Sequence, residues 1–582
     1  MMILKKNQTL VELESIIPLS RSSTEVFKTG QWSQKKPVFH EKLSPCREVC
    51  PVGNDIPGIL SYAARGDIDG ALALILQENP LPGICGRVCY HPCQISCNRI
   101  QFDKAVEIRS LERFIADYGQ AAPRMRSNQK GNKVNVAVIG SGPSGLSAAY
   151  FLALFGHNVT IFEARPEPGG VLRYGIPEYR LPGEIVKREI DRILGLGIHL
   201  VTGEGVDIKK LTHMKENYDY VFLGTGAWMP QRIEASFERR GAITYGLDFL
   251  SQGKKKAICE RKKNVVVVGG GDVAVDVART ARRLCDPDAR ITMVAPEKEG
   301  EFPAIPEGLV EALEEGVQMI GEYQPVEFTG NEHLKQIKFV KTKVEKDQAT
   351  GRYKLSPAVG KDLFIDADLA IIAIGQFPDI RPFFGTIVDK DSSKVFVDES
   401  GATPLSGFYA GGDLVRQRPA VADAILSGKR AALSIHLKAN GYEPEKILAS
   451  LKLGKGSFLS INAFAEERGI DLGRAVEFAE LNTLPYRKVE PHHGIALPPW
   501  ARKNDFKEVN GGLEREAAID EASRCFYCGT CIECDLCFLL CPDISIIKEG
   551  QRLYSVNKDY CKGCSICATT CPRHVIEMED GP

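Results

Sequence analysis

The sequence predicts an α/β protein with a small cysteine-dense segment near each end, and three observations lead to this fold class. Two glycine-rich turns, each set between an apolar strand and a helix, lie in the middle of the chain at 134–146 and 264–274. Sixteen of the 18 cysteines lie within 46–97 or 525–571. With 582 residues, of which 43% are hydrophobic, the chain is long enough for about three or four domains.

The C-terminal segment repeats one cysteine spacing, C-x2-C-x2-C-x3-C-P, in two runs: Cys531, Cys534, Cys537 and Cys541, then Cys561, Cys564, Cys567 and Cys571. In two-cluster ferredoxins, three cysteines of a run bind one [4Fe-4S] cluster and the fourth binds the other cluster. The predicted ligand sets are therefore Cys531, Cys534, Cys537 and Cys571, and Cys561, Cys564, Cys567 and Cys541. A zinc site would use two separated pairs, and a disulfide framework would not repeat this spacing. We expect an α+β, bacterial-ferredoxin-like domain that carries single electrons.

The composition argues against several classes of protein. The net charge is −1 at pH 7 and the basic residues are dispersed, so nothing favours a nucleic acid partner. Glu12 and Glu14 interrupt the first residues of the chain, and no apolar run reaches the length of a membrane span. The sequence therefore predicts a cytoplasmic protein without a membrane span. Its clustered cysteines are typical of metal binding rather than of disulfides.

The first glycine-rich turn has the features of a dinucleotide site. An apolar strand leads into Gly140, Gly142 and Gly145, and a helix follows. In this motif the first glycine makes the turn, the second lets a pyrophosphate approach the backbone, and the third lets the helix pack on the strand. Glu163 closes the next strand, about twenty residues on, where an acid can bind ribose hydroxyls.

The second turn repeats the pattern with Gly269, Gly271 and Asp272, and Ala274 takes the place of the third glycine. Two such sites imply two bound dinucleotides. Two further short apolar strands, at 369–375 and 407–413, end at glycines, and the second runs into an acid.

These residues together resemble the two-dinucleotide flavoprotein family, specifically its glutamate synthase small-subunit branch, which includes the N-terminal half of dihydropyrimidine dehydrogenase. The resemblance covers most of the chain and implies two nested Rossmann-like domains. It implies FAD at the first site, NAD(P)H at the second, inserted site, and a return of the chain to the FAD domain. The FAD contacts that it implies beyond the first turn are Gly170, Val171, Arg173, Tyr174, Gly226, Gly412 and Asp413. A helix beginning near residue 420 is expected to direct its N-terminus at the flavin ring.

The resulting domain order places the nucleotide domain inside the FAD domain. We expect an N-terminal arm at 1–45, a helical iron–sulfur domain at 46–125, FAD domain parts at 126–257 and 373–440, an NAD(H)-binding domain at 258–372, a connector at 441–520 and the ferredoxin-like domain at 521–582.

The residues after the second strand of the nucleotide domain bear on the choice between NADH and NADPH. NADPH-dependent members of the branch carry two arginines there, and this chain has Glu297 and Lys298 instead. A carboxylate repels the 2′-phosphate of NADPH and accepts hydrogen bonds from a free ribose diol. The sequence therefore favours NADH, although Lys298 counts towards NADPH.

The N-terminal cysteines resemble the helical iron–sulfur domain of the same branch, but with a gap. Six cysteines, Cys46, Cys50, Cys85, Cys89, Cys93 and Cys97, cannot ligate two cubic clusters, and the C-x2-C pair that two-cluster relatives have ahead of Cys46 is missing. We expect one [4Fe-4S] cluster, and the resemblance implies Cys50, Cys89, Cys93 and Glu112 as its ligands. An all-cysteine set, with Cys85 or Cys97 in place of Glu112, stays open. Cys525 and Cys528 are bystanders, spare ligands or part of a further metal site.

The function that follows is electron transfer. Many relatives pass flavin electrons to a cysteine pair, but Cys259 and Cys285 each stand alone in the sequence, so the clusters are the expected acceptors. Because the cofactors carry the chemistry, we assign no catalytic side chain. We expect an NADH-linked iron–sulfur flavoprotein that exchanges electrons with a partner subunit, such as a 2-oxoacid or aldehyde oxidoreductase, with bifurcation at the FAD left open. The alternatives are a glutamate synthase small subunit that uses NADPH, and a structural electron bridge with an inactive nucleotide site.

Overall fold

The computed structural model describes residues 28–123, 132–233, 242–251, 255–330, 333–346, 353–381, 387–389, 393–454, 458–465, 474–550 and 552–580. The chain divides into two compact units. The larger comprises Leu43–Ala475 and Lys488–Phe526, and the smaller comprises Met1–Lys42, Val476–Arg487 and Tyr527–Pro582. None of the helices in these described ranges is long and apolar enough to cross a membrane.

The elements alternate between strands and helices through the middle of the chain. The strands are β1 Lys35–Phe39, β2 Asn135–Ile139, β3 Asn158–Glu163, β4 His199–Thr202, β5 Tyr220–Leu223, β6 Met229–Pro230, β7 Ile243–Tyr245, β8 Asn264–Val268, β9 Arg290–Val294, β10 Gln318–Ile320, β11 Tyr323–Thr329, β12 Gln336–Lys346, β13 Tyr353–Pro357, β14 Leu363–Asp366, β15 Leu369–Ile372, β16 Gln376–Phe377, β17 Val388–Asp389, β18 Lys394–Val395, β19 Phe408–Ala410, β20 Ile546–Gly550, β21 Leu553–Val556 and β22 Ile576–Asp580. The helices are α1 Pro45–Glu48, α2 Ile56–Ala64, α3 Ile68–Ile75, α4 Pro82–Val88, α5 Pro92–Ile95, α6 Ile108–Tyr118, α7 Pro143–Leu154, α8 Val171–Tyr174, α9 Gly183–Leu194, α10 Ile208–Asn217, α11 Gly246–Ser251, α12 Lys255–Cys259, α13 Asp272–Leu284, α14 Pro306–Glu314, α15 Val421–Ala439, α16 Pro444–Ser450, α17 Ile461–Ala465, α18 Pro499–Arg502, α19 Arg515–Ser523, α20 Leu536–Leu539 and α21 Ile566–Thr570.

The first sheet is parallel, in the order β19-β5-β2-β3-β4. Its outer strand β19 comes from the chain after the second nucleotide domain, so this sheet is completed only when the chain returns to it. Helices α7 and α15 pack closely over the sheet: a Cβ on Gly428 would lie 2.1 Å from the backbone oxygen of Ser144. The nested arrangement predicted for the two dinucleotide domains is confirmed.

The second sheet is also parallel, in the order β10-β9-β8-β15-β7, and a smaller antiparallel sheet of β11, β12, β13 and β14 follows β10 along the chain. Strand β7 corrects one boundary, because the division at residue 257 placed it in the FAD domain, whereas it pairs with β15 of the second sheet. Three residues are too few to show a periodicity of their own, so the pairing could not be anticipated.

Helices α1 to α6 form the N-terminal part of the larger unit. Asp55 and Asp67 cap α2 and α3 by accepting hydrogen bonds from the backbone N–H groups of Gly58 and Gly70. Ile56–Ala64 is almost entirely buried, as expected for a helix at the centre of a small bundle.

The smaller unit has the α+β composition expected of the ferredoxin-like segment. Strand β20 pairs with β21, and helices α20 and α21 each contain the third cysteine of a run, Cys537 and Cys567. Strand β1 pairs antiparallel with β22, with Pro37 opposite Met578. The segment predicted as a separate N-terminal arm therefore contributes an edge strand to this unit, because its alternating side chains match a partner more than five hundred residues away.

Candidate functional site

A cavity of about 460 Å³ opens at the carboxyl end of the first sheet. The predicted FAD residues that line it are Gly140, Gly142, Glu163, Gly170, Val171, Gly226, Gly412 and Asp413. Gly145, Arg173 and Tyr174 lie next to it but are absent from the described lining. The volume and the position at the ends of parallel strands suit a dinucleotide.

The glycines of the first turn act as the motif predicts. Gly140 has φ +97°, which favours glycine, and a Cβ on Gly145 would lie 1.9 Å from the oxygen of Gly140. A Cβ on Gly142, in contrast, would meet no described atom within 4 Å. The backbone at Gly142 therefore faces open space at the start of α7, where a pyrophosphate would be held by N–H groups.

Glu163 stabilises this turn through its own hydrogen bonds. Its carboxylate accepts from the backbone N of Ser141 at 3.0 Å, from the Ser141 hydroxyl, and from the backbone N of Arg165 at 2.8 Å. The carboxylate is buried, so these donors fix its position at the wall of the cavity. The predicted contact with ribose would add to these bonds.

Three residues of the cavity carry no sequence motif and were missed. The guanidinium carbon of Arg165 lies 4.2 Å from the ring centre of Trp228 and 4.5 Å from that of Tyr174, so the arginine is stacked between two aromatic rings. The hydroxyl of Thr225 lines the cavity and is buried without a hydrogen-bond partner in the described structure. A bound cofactor would provide the partner that Thr225 lacks.

Arg173 and Tyr174, which the resemblance assigns to FAD, make contacts within their own loop. Arg173 Nε donates to the oxygen of Pro168 at 2.8 Å, and the Tyr174 hydroxyl bonds to the backbone of Glu167. Asp413 lines the cavity, and burial raises the pKa of its carboxyl, while Lys394 acts in the opposite direction.

The second turn has the same construction. Gly269 has φ +136°, and a Cβ on it would lie 2.2 Å from the oxygen of Ala373, whereas Gly271 faces open space ahead of α13. Ala274 is buried against the strand. Asp272 accepts a hydrogen bond from the backbone N of Ile305 at 3.0 Å. Glu297 follows β9 with a half-buried side chain.

The N-terminal cysteines surround a small enclosed cavity. Cys50, Cys85, Cys89, Cys93 and Glu112 all line it. Burial raises the pKa of Cys50 to about 11 and that of Cys89 to about 12. These thiols would not ionise without a compensating cation, and a coordinated metal supplies one. The donor set therefore fits an iron–sulfur cluster.

Glu112, Cys85 and Cys97 are the candidates for the fourth ligand of this site. Glu112 Oε1 accepts hydrogen bonds from Asn54 Nδ2 and Asn79 Nδ2, both at 2.9 Å. Burial raises the pKa of Glu112 to about 7, and these hydrogen bonds act in the opposite direction. Cys85 lines the same cavity, so both candidates for the fourth ligand are brought together. Cys97 is absent from the described lining.

The first turn of α15 borders both cavities. Val421 and Ala424 line the 460 Å³ cavity at the first sheet, which is predicted to hold FAD and is called the FAD cavity. Ala422 lines the small cavity of the N-terminal cysteines, called the cysteine cavity. Within this turn, Asp423 is hydrogen-bonded to Tyr90, and the guanidinium of Arg418 lies 3.7 Å from the Tyr90 ring centre. Tyr90 directly follows Cys89, so one helical turn connects the two sites.

Comparison with known proteins identifies both parts of this arrangement. Residues 134–428 match the family described as pyridine nucleotide-disulphide oxidoreductase, and residues 39–123 match dihydropyrimidine dehydrogenase domain II, 4Fe-4S cluster. The chain belongs to the pyridine nucleotide-disulphide oxidoreductase family. The resemblance to its glutamate synthase small-subunit branch is confirmed.

Relatives of this pyridine nucleotide-disulphide oxidoreductase include named subunits of larger enzymes. The chain is 34% identical to the NADP(+)-dependent formate dehydrogenase subunit beta of Moorella thermoacetica, over 83% of this chain and 70% of that protein. It is 32% identical to the NADPH-Fe(3+) oxidoreductase subunit beta of Geobacter sulfurreducens, over 83% and 75%. It is 31% identical to the NAD-dependent dihydropyrimidine dehydrogenase subunit PreT of Salmonella typhimurium, over 68% and 90%.

In this family member, Cys259 and Cys285 do not stand alone as the sequence suggested. Their thiols are hydrogen-bonded to each other, and this bond and burial raise the pKa of Cys259. The two residues come together because α12 packs against α13, which ends just before Cys285. Both thiols lie in the apolar core behind the second sheet rather than at the FAD cavity.

The structure brings the ferredoxin-like cysteines close together in two groups. Burial raises the pKa of Cys537 to about 12. After burial, Cys571, Cys531 and Cys534 are the residues that raise it most. Burial likewise raises the pKa of Cys567 to about 11, and Cys561, Cys564 and Cys541 act in the same direction. In the described ranges no group of three or more His, Cys, Asp or Glu could hold a single metal ion. A cube differs from a single ion because each thiolate binds a different iron.

Proposed function

We propose that this iron–sulfur flavoprotein NAD(P)H oxidoreductase transfers electrons between NADH, FAD and three [4Fe-4S] clusters, one N-terminal and two C-terminal, and exchanges them with a partner subunit. The single observation that carries the proposal is the shared border of the FAD cavity and the cysteine cavity at the first turn of α15. Bound FAD can accept a hydride and release single electrons. In this proposal the first turn of α15 separates the bound FAD from the N-terminal cluster in the cysteine cavity.

The names of the relatives support a role as one subunit of a larger oxidoreductase. Two are called beta subunits, one of a formate dehydrogenase and one of an Fe(3+) oxidoreductase. The first of these names adds formate to 2-oxoacids and aldehydes as a proposed substrate class of the partner subunit. At the second glycine-rich turn a Cβ on Gly271 would meet no described atom within 4 Å, which supports a working nucleotide site and favours an active enzyme over an inert electron bridge.

The direct test is an anaerobic titration of the full chain with NADH and, separately, with NADPH. Flavin bleaching and loss of the broad iron–sulfur absorbance are followed together. We expect NADH to reduce both chromophores and NADPH to do so far more weakly. Failure of both nucleotides to bleach the flavin would contradict the proposal and favour the structural bridge. Bleaching of flavin without the iron–sulfur absorbance would contradict the link between the two cavities.

The preference for NADH depends on Glu297. Two relatives are named for NADP(H) and one for NAD, so this residue has to be tested directly. We expect Glu297→Ala to raise the KM for NADH by about 10-fold or more, because a charge-assisted bond to the ribose diol is lost. The KM for NADPH should stay unchanged or fall.

The matched control for Glu297 is Glu299→Ala, at an exposed residue two positions further along the chain. It should leave both KM values unchanged. An NADPH preference in the unaltered protein, with no effect of Glu297→Ala, would show that Lys298 rather than Glu297 governs the choice.

A further inference from the structure

His91 lies in the loop between Cys89 and Cys93, two predicted ligands of the N-terminal cluster, and its backbone is left-handed. It has φ +41° and directly precedes α5, which begins at Pro92. Residues with a Cβ rarely adopt this conformation, and it persists only where surrounding contacts hold it. Glycine or asparagine is the usual residue at such a position. A histidine here therefore directs attention to the contacts of its side chain.

The imidazole of His91 makes a contact on each side of the ring. Nδ1 lies 3.1 Å from the backbone oxygen of Cys89, and Nε2 lies 3.1 Å from Glu307 Oε1. Only 12% of the side chain is exposed, so these contacts fix the orientation of the ring. The backbone N of the same residue donates to Cys89 Sγ at 3.3 Å. His91 therefore connects a predicted ligand sulfur with Glu307.

Glu307 belongs to the nucleotide domain rather than to the helical iron–sulfur domain. It lies in the first turn of α14, and two residues earlier the backbone N of Ile305 donates to Asp272 of the second glycine-rich turn. Arg109 of α6 also approaches Glu307, with Nη2 at 3.8 Å from Oε1. The hydrogen bond with His91 lowers the pKa of Glu307 to about 2, and Arg109 acts in the same direction against burial. The carboxylate is therefore ionised at neutral pH and anchored at both ends of the contact.

The N–H group of His91 acts on the electronic state of the Cys89 sulfur. Burial and Glu112 raise the pKa of the Cys89 thiol, and the backbone N–H of His91 acts in the opposite direction by favouring the anionic sulfur. Hydrogen bonds to the sulfurs of an iron–sulfur cluster likewise favour its reduced, more negative state and raise its reduction potential. The N–H group is directed at the sulfur only while the loop keeps its left-handed backbone.

We propose that Glu307 is a positioning residue for the N-terminal cluster. It holds His91 so that the N–H group of His91 donates to the Cys89 sulfur and raises the reduction potential of the cluster, which favours electron uptake from the FAD. This inference rests on the proposed N-terminal [4Fe-4S] cluster. The nucleotide domain thus contributes one of the groups that set the potential of a cluster bound by another domain.

The test is an anaerobic redox titration of the full chain, followed by electron paramagnetic resonance, with iron measured per chain. The signal of the N-terminal cluster is the one that Cys50→Ala abolishes. We expect Glu307→Ala to keep its iron and to disfavour reduction of this cluster by about 10-fold, or about 60 mV, which corresponds to one hydrogen bond to a charged group. Glu307→Gln keeps an acceptor for His91 and should stay close to the unaltered protein.

The matched control is Glu314→Ala, which removes a carboxylate of the same helix that pairs with Arg502 instead. It should leave the midpoint potential of the N-terminal cluster unchanged. His91→Asn provides a second route to the same effect, because asparagine tolerates the left-handed backbone but is too short to reproduce the contact with Glu307. It should lower the potential, and adding Glu307→Ala should lower it no further, since both changes remove one contact.

An unchanged midpoint in Glu307→Ala would overturn the inference. A shift to higher potential would do the same, because the loss of a nearby negative charge alone favours reduction. Equal shifts in Glu307→Ala and Glu307→Gln, or additive shifts in the double variant, would also contradict a positioning role. If the unaltered protein shows no signal that Cys50→Ala abolishes, the N-terminal cluster of the proposed function is absent and the inference falls with it. A signal that is present but insensitive to Glu307→Ala overturns the inference alone.

Discussion

Glu78→Ala is expected to destabilise the larger unit by about 3–5 kcal/mol, because it leaves the buried ammonium of Lys429 without its counter-ion. Lys429 Nζ lies 2.6 Å from Glu78 Oε2, and both side chains are almost completely inaccessible to solvent. Glu78 also accepts hydrogen bonds from the backbone N of Ile461 at 2.9 Å and of Asn462 at 3.0 Å, and from the Ser460 hydroxyl. One carboxylate therefore satisfies four donors.

The pair joins three parts of the larger unit. Glu78 follows α3 of the helical iron–sulfur segment, Lys429 lies in α15 of the FAD domain, and the segment from Ser460 belongs to the predicted connector. Lys429 Nζ also donates to the backbone oxygen of Val52, two residues from Cys50. Loss of the carboxylate should therefore loosen the contact between the two cavities as well as lower stability.

The measurement is the midpoint of thermal unfolding, followed by release of FAD fluorescence. We expect a fall of about 6 °C or more for Glu78→Ala. Glu78→Ala/Lys429→Met should recover part of the loss, because removing both charges avoids an unpaired buried ion. Glu399→Ala, which breaks the exposed pair with Lys452 at 3.3 Å, is the control and should leave the midpoint unchanged. An unchanged midpoint for Glu78→Ala would mean that solvent reaches Lys429.

The sequence predicted those parts of the molecule in which chemistry requires a residue type at a fixed local spacing. Gly140, Gly142 and Gly145 belong to one turn, and their steric constraints are local, so the motif predicted a turn that the structure places beside a cavity of dinucleotide size. The same reasoning applies to the ferredoxin runs. Cys571 of the second run raises the pKa of Cys537 in the first run, and Cys541 of the first run raises that of Cys567 in the second.

The remaining features depend on contacts between residues far apart in the chain. Glu78 meets partners more than 350 residues away, and nothing around it marks it as buried. Arg165 lines the cavity by stacking between Tyr174 and Trp228, which no spacing rule anticipates. Cys259 and Cys285 are 26 positions apart and meet only because two helices pack together. Tertiary packing decided each of these, and a single sequence does not encode it in a readable pattern.

The second large effect is expected from Cys50→Ala, which should separate flavin reduction from electron delivery. Cys50 lines the cysteine cavity next to Ala422, while the FAD cavity is bordered by Val421 and Ala424 on the same turn. The substitution removes a predicted cluster ligand without touching the residues of the FAD cavity. Bleaching of the flavin by NADH should therefore proceed at close to the normal rate, whereas reduction of the ferredoxin-like clusters should slow by about 10- to 100-fold.

Stopped-flow absorbance under anaerobic conditions separates the two processes, and iron analysis verifies the loss of the cluster. Cys285→Ala is the matched control, because this thiol is as buried as Cys50 but lies in the core of the nucleotide domain. It should leave both rates unaltered. If Cys50→Ala loses its cluster and still delivers electrons to the ferredoxin-like clusters at the normal rate, the N-terminal cluster lies off the electron path, and the closeness of the two cavities would serve structure rather than transfer.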